Sequence, residues 1–117
     1  KAKEEANALI AQADAQAAKL IADAEVQGQK LVDAARLAAE KLRITADSTS
    51  NKIITEGKKN GPIAEIAAKK AAEKVKKDAN NKATGLVNEA QKQKDAIIAR
   101  ARAEAEKVKQ QAAGKVK

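Results

Sequence analysis

Histidine, cysteine, methionine and all three aromatic residues are absent from this sequence. Without cysteine there can be no disulfide and no thiolate metal site, while the compartment stays open. Losing histidine as well removes the commonest general base and the commonest activated nucleophiles. The lack of aromatics leaves nothing bulky enough to fill a wide globular centre, nothing to stack on nucleic-acid bases and no Trp or Phe to anchor at a lipid interface. Long apolar runs are missing too. No stretch approaches the 18 or so consecutive apolar residues of a bilayer-spanning helix, and no secretory signal pattern stands at the N-terminus. The chain begins at Lys1 rather than Met, which reads as a processed protein or an excised segment.

What remains is mostly Ala, Lys, Glu, Gln and aliphatics, with alanine about a quarter of 117 residues. Such a composition points to long helix or coiled coil, and the length suits a single domain over 1–117. The formal charge of +8 is uneven. Residues 1–56 carry 8 basic and 9 acidic side chains, whereas 62–117 carry 14 and 7.

An eleven-residue repeat runs from Leu9 through ten blocks without a slip, beginning LIAQADAQAAK, LIADAEVQGQK, LVDAARLAAEK. Its first position reads Leu9, Leu20, Leu31, Leu42, Ile53, Ala64, Val75, Leu86, Ile97 and Val108. The fifth is alanine in every block but one, where Gly57 stands, and through the first nine blocks the ninth is small except at Lys94. At about 100° per residue, positions 1, 5, 9 and 2 fall in that order within one narrow stripe. Large residues therefore edge a small-residue middle, along which a second helix can approach closely. Eleven residues over three turns is about 3.67 per turn, so nearly straight helices or a gentle right-handed supercoil are expected. The other positions are mainly polar and read as a solvated face. TADSTSN (45–51) and ANNKATG (79–85) hold poor helix formers, but the repeat phase crosses both, so both are read as helical.

One interruption stands out. Residues 57–62 read GKKNGP and include the only proline, with 56 residues on each side of 57–61. Gly57 weakens a helix, Asn60-Gly61 can take the left-handed conformation of a helix end, and Pro62 is best tolerated at the first position of a new helix. The expected fold is all-α: an antiparallel two-helix hairpin, a hendecad and Ala-rich coiled coil, with helices over 1–57 and 62–117 and a turn over 58–61. A turn centred between residues 58 and 59 would place the large anchors at equal levels: Leu9 with Val108, Leu20 with Ile97, Leu31 with Leu86, Leu42 with Val75 and Ile53 with Ala64. Each arm would be about 84 Å long. The seam is assigned to Leu9, Leu20, Leu31, Leu42, Ile53, Val75, Leu86, Ile97 and Val108, and the turn to Gly57, Asn60, Gly61 and Pro62. Burial along so thin a seam is slight beside the entropy of ordering the chain. A second hairpin is therefore expected to complete the packing as a dimer, through the half far from the turn, where Ile10, Ile21, Val32, Val87 and Ile98 double the anchors.

No catalytic, cofactor-binding or metal-binding residues are assigned. Ser48, Thr49 and Ser50 have no evident base, adjacent carboxylates such as Glu4 and Glu5 point apart on a helix, and no phosphate loop appears. No small-molecule substrate is expected. Three non-enzymatic classes stay open: a structural spacer or protein-association module, a peripheral binder of anionic membrane, and a nucleic-acid or other polyanion binder. Contacts for the last two would come from Lys69, Lys70, Lys76 and Lys77 in AAKKAAEKVKK, a run similar to lysine- and alanine-rich linker-histone tails. Those lysines are interleaved with Glu65, Glu73 and Asp78, so weak and salt-sensitive binding is the most such a surface implies.

The blocks KLVDAARLAAEKL and NGPIAEIAAKKAAEKVKKDANNKATGLVNEAQ resemble the alanine- and lysine-rich helical tails at the ends of some AsmA-like bacterial envelope proteins. There, similar eleven-residue blocks surround an N-P or N-G-P turn followed by a lysine-rich helical run. The resemblance covers most of the chain and implies a periplasmic or membrane-associated location and a structural role, with no catalytic residues. The hairpin expectation is open to direct test. Spin labels beside Leu20 and Ile97 should report a short distance within one molecule, whereas a single continuous rod would hold them about 115 Å apart.

Overall fold

The computed structural model describes residues 2–116, with the side chain of Val116 outside the description. Two helices make up the fold: α1 (Ala2–Lys59) and α2 (Pro62–Val116). They form an antiparallel helical hairpin. TADSTSN and ANNKATG are helical throughout, as the repeat phase implies. Just beyond the first of these regions, Thr55 Oγ1 donates to the Asn51 carbonyl at 2.8 Å, so a poor helix former returns its hydroxyl to its own helix.

The turn is tighter than its sequence suggests. α1 runs through Gly57 to Lys59, so only Asn60 and Gly61 connect the helices, not the four residues 58–61. The Asn60 amide donates to the Gly57 carbonyl at 3.1 Å, closing the last turn of α1. Asn60 Nδ2 reaches a second late carbonyl, that of Glu56, at 3.3 Å. Gly61 has φ +105°, a conformation open to glycine at little cost, and its carbonyl accepts the Glu65 amide at 2.9 Å as the first bond of α2. Pro62 then occupies the first helical position, where its missing N–H removes no helical bond. Lys58 and Lys59 in the last turn of α1, and Glu65 in the first turn of α2, match the helix dipoles.

The chain packs as two compact units: a turn unit, Asp33–Ala90, and a terminal unit, which joins the residues up to Val32 with those from Gln91 onward. In the turn unit the fully buried positions are small: Ala39, Ala46, Ser50, Gly57, Ala72, Ala83 and Ala90. The terminal unit buries Ala13, Ala17, Ala24, Gly28, Ala101, Ala105 and Ala112, together with Val32. Nearly all are fifth or ninth positions of the blocks. Apart from Val32, the seam is therefore closed by alanine, glycine and serine, and the other large aliphatics stand at its edges.

Register differs from the level pairing of large anchors. Gly28 faces Lys94 and Ser50 bonds to Ala72, pairs whose numbers add to 122. Arg43 Nε reaches Asn80 Oδ1 at 3.3 Å, a pair adding to 123. A two-residue turn is centred later than a four-residue one, and the opposing helix shifts by about one turn. The shift brings first positions opposite fifth positions, as Ala24 to Ile97 and Ala46 to Val75. It also opposes ninth positions to one another, as Ala17 to Ala105 and Ala39 to Ala83. Large side chains thus meet alanines instead of each other, which a closely approaching helix pair requires.

Ser50 shows how close the approach is. It is fully buried, and its hydroxyl donates to the Ala72 carbonyl of the other helix at 3.1 Å. Gly57 is still more constrained: a Cβ built there would overlap the Ala68 methyl and lie 3.0 Å from the Ala64 carbonyl oxygen, a backbone atom that cannot swing away. Replacing Gly57 by Ala should therefore destabilise the hairpin by about 1–3 kcal/mol in urea unfolding, despite alanine's helix propensity advantage of about 1 kcal/mol.

Candidate association surface

The sequence-assigned anchors rise from the seam as half-covered edges. Leu9, Leu20, Leu42, Ile53, Val75, Ile97 and Val108 are half-buried, while Leu31 and Leu86 remain 37% and 42% exposed. Anchors of both helices project on the same side because first positions lie at one edge of each stripe. In the terminal unit this makes an open groove. Its floor includes Ala24 and Ala101, its walls Leu20, Leu31 and Ile97, and its outer rim Gln27 and Gln93. Further along the same side, Leu9 and Val108 stand over Ala13 and Ala112, with Gln12, Gln16 and Gln111 beside them.

The opposite side of the terminal unit is built differently. There Glu25, Val26, Gln29, Lys94 and Ile98 line a second, separate hollow. Lys94, a long side chain at a ninth position, is accommodated because it faces Gly28. A Cβ on Gly28 would come within 2.5 Å of Lys94 Cγ. The stem of Lys94 thus fills the space that a side chain would occupy, while its Nζ extends to Gln29 Oε1 at 2.8 Å. Lysine opposite glycine replaces the alanine-against-alanine layer found elsewhere along the seam.

Lys69, Lys70, Lys76 and Lys77 are all exposed. Lys69 pairs with Glu65 at 3.4 Å on its own helix. At about 100° per residue, Lys69 and Lys76 share one line of α2, Lys70 and Lys77 another about 100° away, and Glu73 lies between them. The four are not brought together as one cluster. Of the residues assigned to the turn, Asn60 and Gly61 form it, Pro62 is the first residue of α2, and Gly57 belongs to the seam. The reading of the blocks passed over Val26, Leu37, Ile44, Ile63 and Ile66, which are 56–86% exposed on faces away from the seam. Their off-phase positions in the repeat were the available signal.

Among the described residues no group of three or more Asp or Glu could hold a metal, and no helix is long and apolar enough to cross a membrane. Every buried side-chain polar atom there has a hydrogen-bond partner. The Lys19–Asp23 and Lys59–Glu56 pairs, at 2.9 and 3.4 Å, are exposed and local to α1, so each contributes only a few tenths of a kcal/mol. Comparison with protein-family models, with curated proteins and with solved structures finds no match to this chain.

The Gly28–Lys94 layer generates a double-mutant cycle. In a Lys94→Ala background the clash with Cγ is gone, but Cβ and Cα of residue 94 stay 3.1 and 3.2 Å from the new methyl. Gly28→Ala should therefore be near neutral there, the tight contact offsetting a helix-propensity gain of up to about 1 kcal/mol. It should lose stability when Lys94 is present. The expected coupling is about 0.5–3 kcal/mol by thermal or urea unfolding; additivity within error would mean that the two positions do not share a layer.

Proposed function

We propose that this chain is a non-enzymatic structural module, a helical-hairpin spacer or protein-association element. The observation that carries this reading is the division of labour across the seam. Small residues are buried and hold the two helices together, while the large aliphatics at the edges stay partly uncovered and available to another protein. The clustered polar groups that chemistry requires are not what this surface offers: its buried polar side chain, Ser50, is committed to a backbone carbonyl. A structural role is also what the resemblance to AsmA-like envelope tails implies, and a cell-envelope location belongs to the same proposal.

The second reading is a peripheral binder of anionic membrane or another polyanion through the basic second helix. Exposed Lys69, Lys70, Lys76 and Lys77 favour it, and their division into two lines around Glu73 counts against a concentrated phosphate-binding track. Co-sedimentation with anionic liposomes and with duplex DNA, at low and at physiological salt, separates the readings. A spacer should show at most weak binding that disappears at physiological salt. Strong retention on liposomes or DNA at physiological salt would overturn the spacer reading in favour of the second.

A further inference from the structure

We infer that the terminal unit's groove, walled by Leu20, Leu31 and Ile97, is the docking face for a second copy of this chain. The inference rests on the association reading above and assigns its partner and its face. Two features of the groove support it. The first is its edging. The chain has eight glutamines, all in residues 1–32 or 91–117 and none in 33–90. Five of them, Gln12, Gln16, Gln27, Gln93 and Gln111, line the anchor side of the terminal unit.

A primary amide is both donor and acceptor, so two identical glutamine-edged faces can satisfy one another without a second kind of surface. A neutral amide is also far less costly to take out of water than a lysine or glutamate. An anionic lipid or nucleic acid would call for an excess of basic residues at this rim, whereas Arg100 and Lys115 here are matched by Asp23 and Glu104. The second feature is charge balance. Asp23, Glu104, Arg100 and Lys115 are the charged residues lining this side, two of each sign. Two-fold packing sets residue i of one copy against j of the other and j against i, so a balanced set can pair with itself where a single-sign surface would repel. The aliphatic walls supply the apolar contact: Leu31 is exposed by 37%, and Leu20 and Ile97 are half-buried.

Sedimentation equilibrium on the full chain at tens of micromolar tests the assignment. The expected result is a monomer–dimer equilibrium. Leu31→Glu should weaken it at least about tenfold, equivalent to 1.4 kcal/mol. Val26→Glu, the same kind of change at a 58% exposed position on the opposite side of the unit, should alter it by less than about threefold. Circular dichroism melts show whether each variant stays helical. Since Leu31→Glu could also loosen the hairpin, a nitroxide at exposed Gln27 supplies a second readout. Double electron–electron resonance on the singly labelled chain should give one defined intermolecular distance in the range expected for facing copies. A strict monomer, equal weakening by both variants, or no defined intermolecular distance would each overturn the inference. A monomer that also fails to retain liposomes and DNA would leave the spacer reading standing while removing self-docking. A dimer on this face with strong liposome retention at physiological salt would do the reverse.

Discussion

Everything in this hairpin depends on how closely two helices can approach when the residues between them have almost no side chain. Ala17, Ala39 and Ala83 are fully inaccessible, and Ala72 and Ala105 nearly so, although alanine contributes only a methyl group. Such complete burial of small residues requires the opposing backbone to be near, as the Ser50 hydroxyl reaching a carbonyl of the other helix confirms. Close approach then dictates what else is allowed. Large side chains cannot oppose each other across the seam, so they move to its edges and meet alanines. A lysine can enter only where glycine vacates the space.

The same constraint explains why the edges are unfinished. A seam wide enough to bury leucine would separate the helices; a seam narrow enough for alanine pushes leucine outward. Leu31 and Leu86 consequently keep more than a third of their surface in solvent, with no third element among the described residues to cover them. Packing the centre well and covering the edges are competing demands on two helices. In the terminal unit the uncovered edge is bordered by glutamines, so neutral amides stand beside the aliphatic walls.

Turn chemistry links these features. Gly61 takes a left-handed conformation, Asn60 closes α1, and Pro62 opens α2, so reversal is achieved in two residues. A turn that short brings the helices into contact from the first layer. Gly57, only four residues before Gly61, must already lack a side chain to let Ala64 and Ala68 pass. Its glycine serves close approach more than flexibility, and α1 continues unbroken through it.

Helix, break and stripe were legible in the sequence because each is a local property. Eleven-residue spacing places Leu9, Ala13 and Ala17 on one side of a helix whatever that helix touches, and GKKNGP stops a helix on its own chemistry. The phase also carried TADSTSN and ANNKATG correctly against their propensities. Register was a different matter. Pairing Leu20 with Ile97 at one level was as consistent with the pattern as the arrangement adopted, in which Ala24 is level with Ile97. Choosing between them depends on the turn's true length and on large-into-small packing between residues scores of positions apart. Lys94 broke the small-residue pattern of the ninth positions until the fold set it against Gly28. Periodicity determined which face of each helix is buried; only the meeting of the two helices decided what each buried residue faces and which apolar edge remains open.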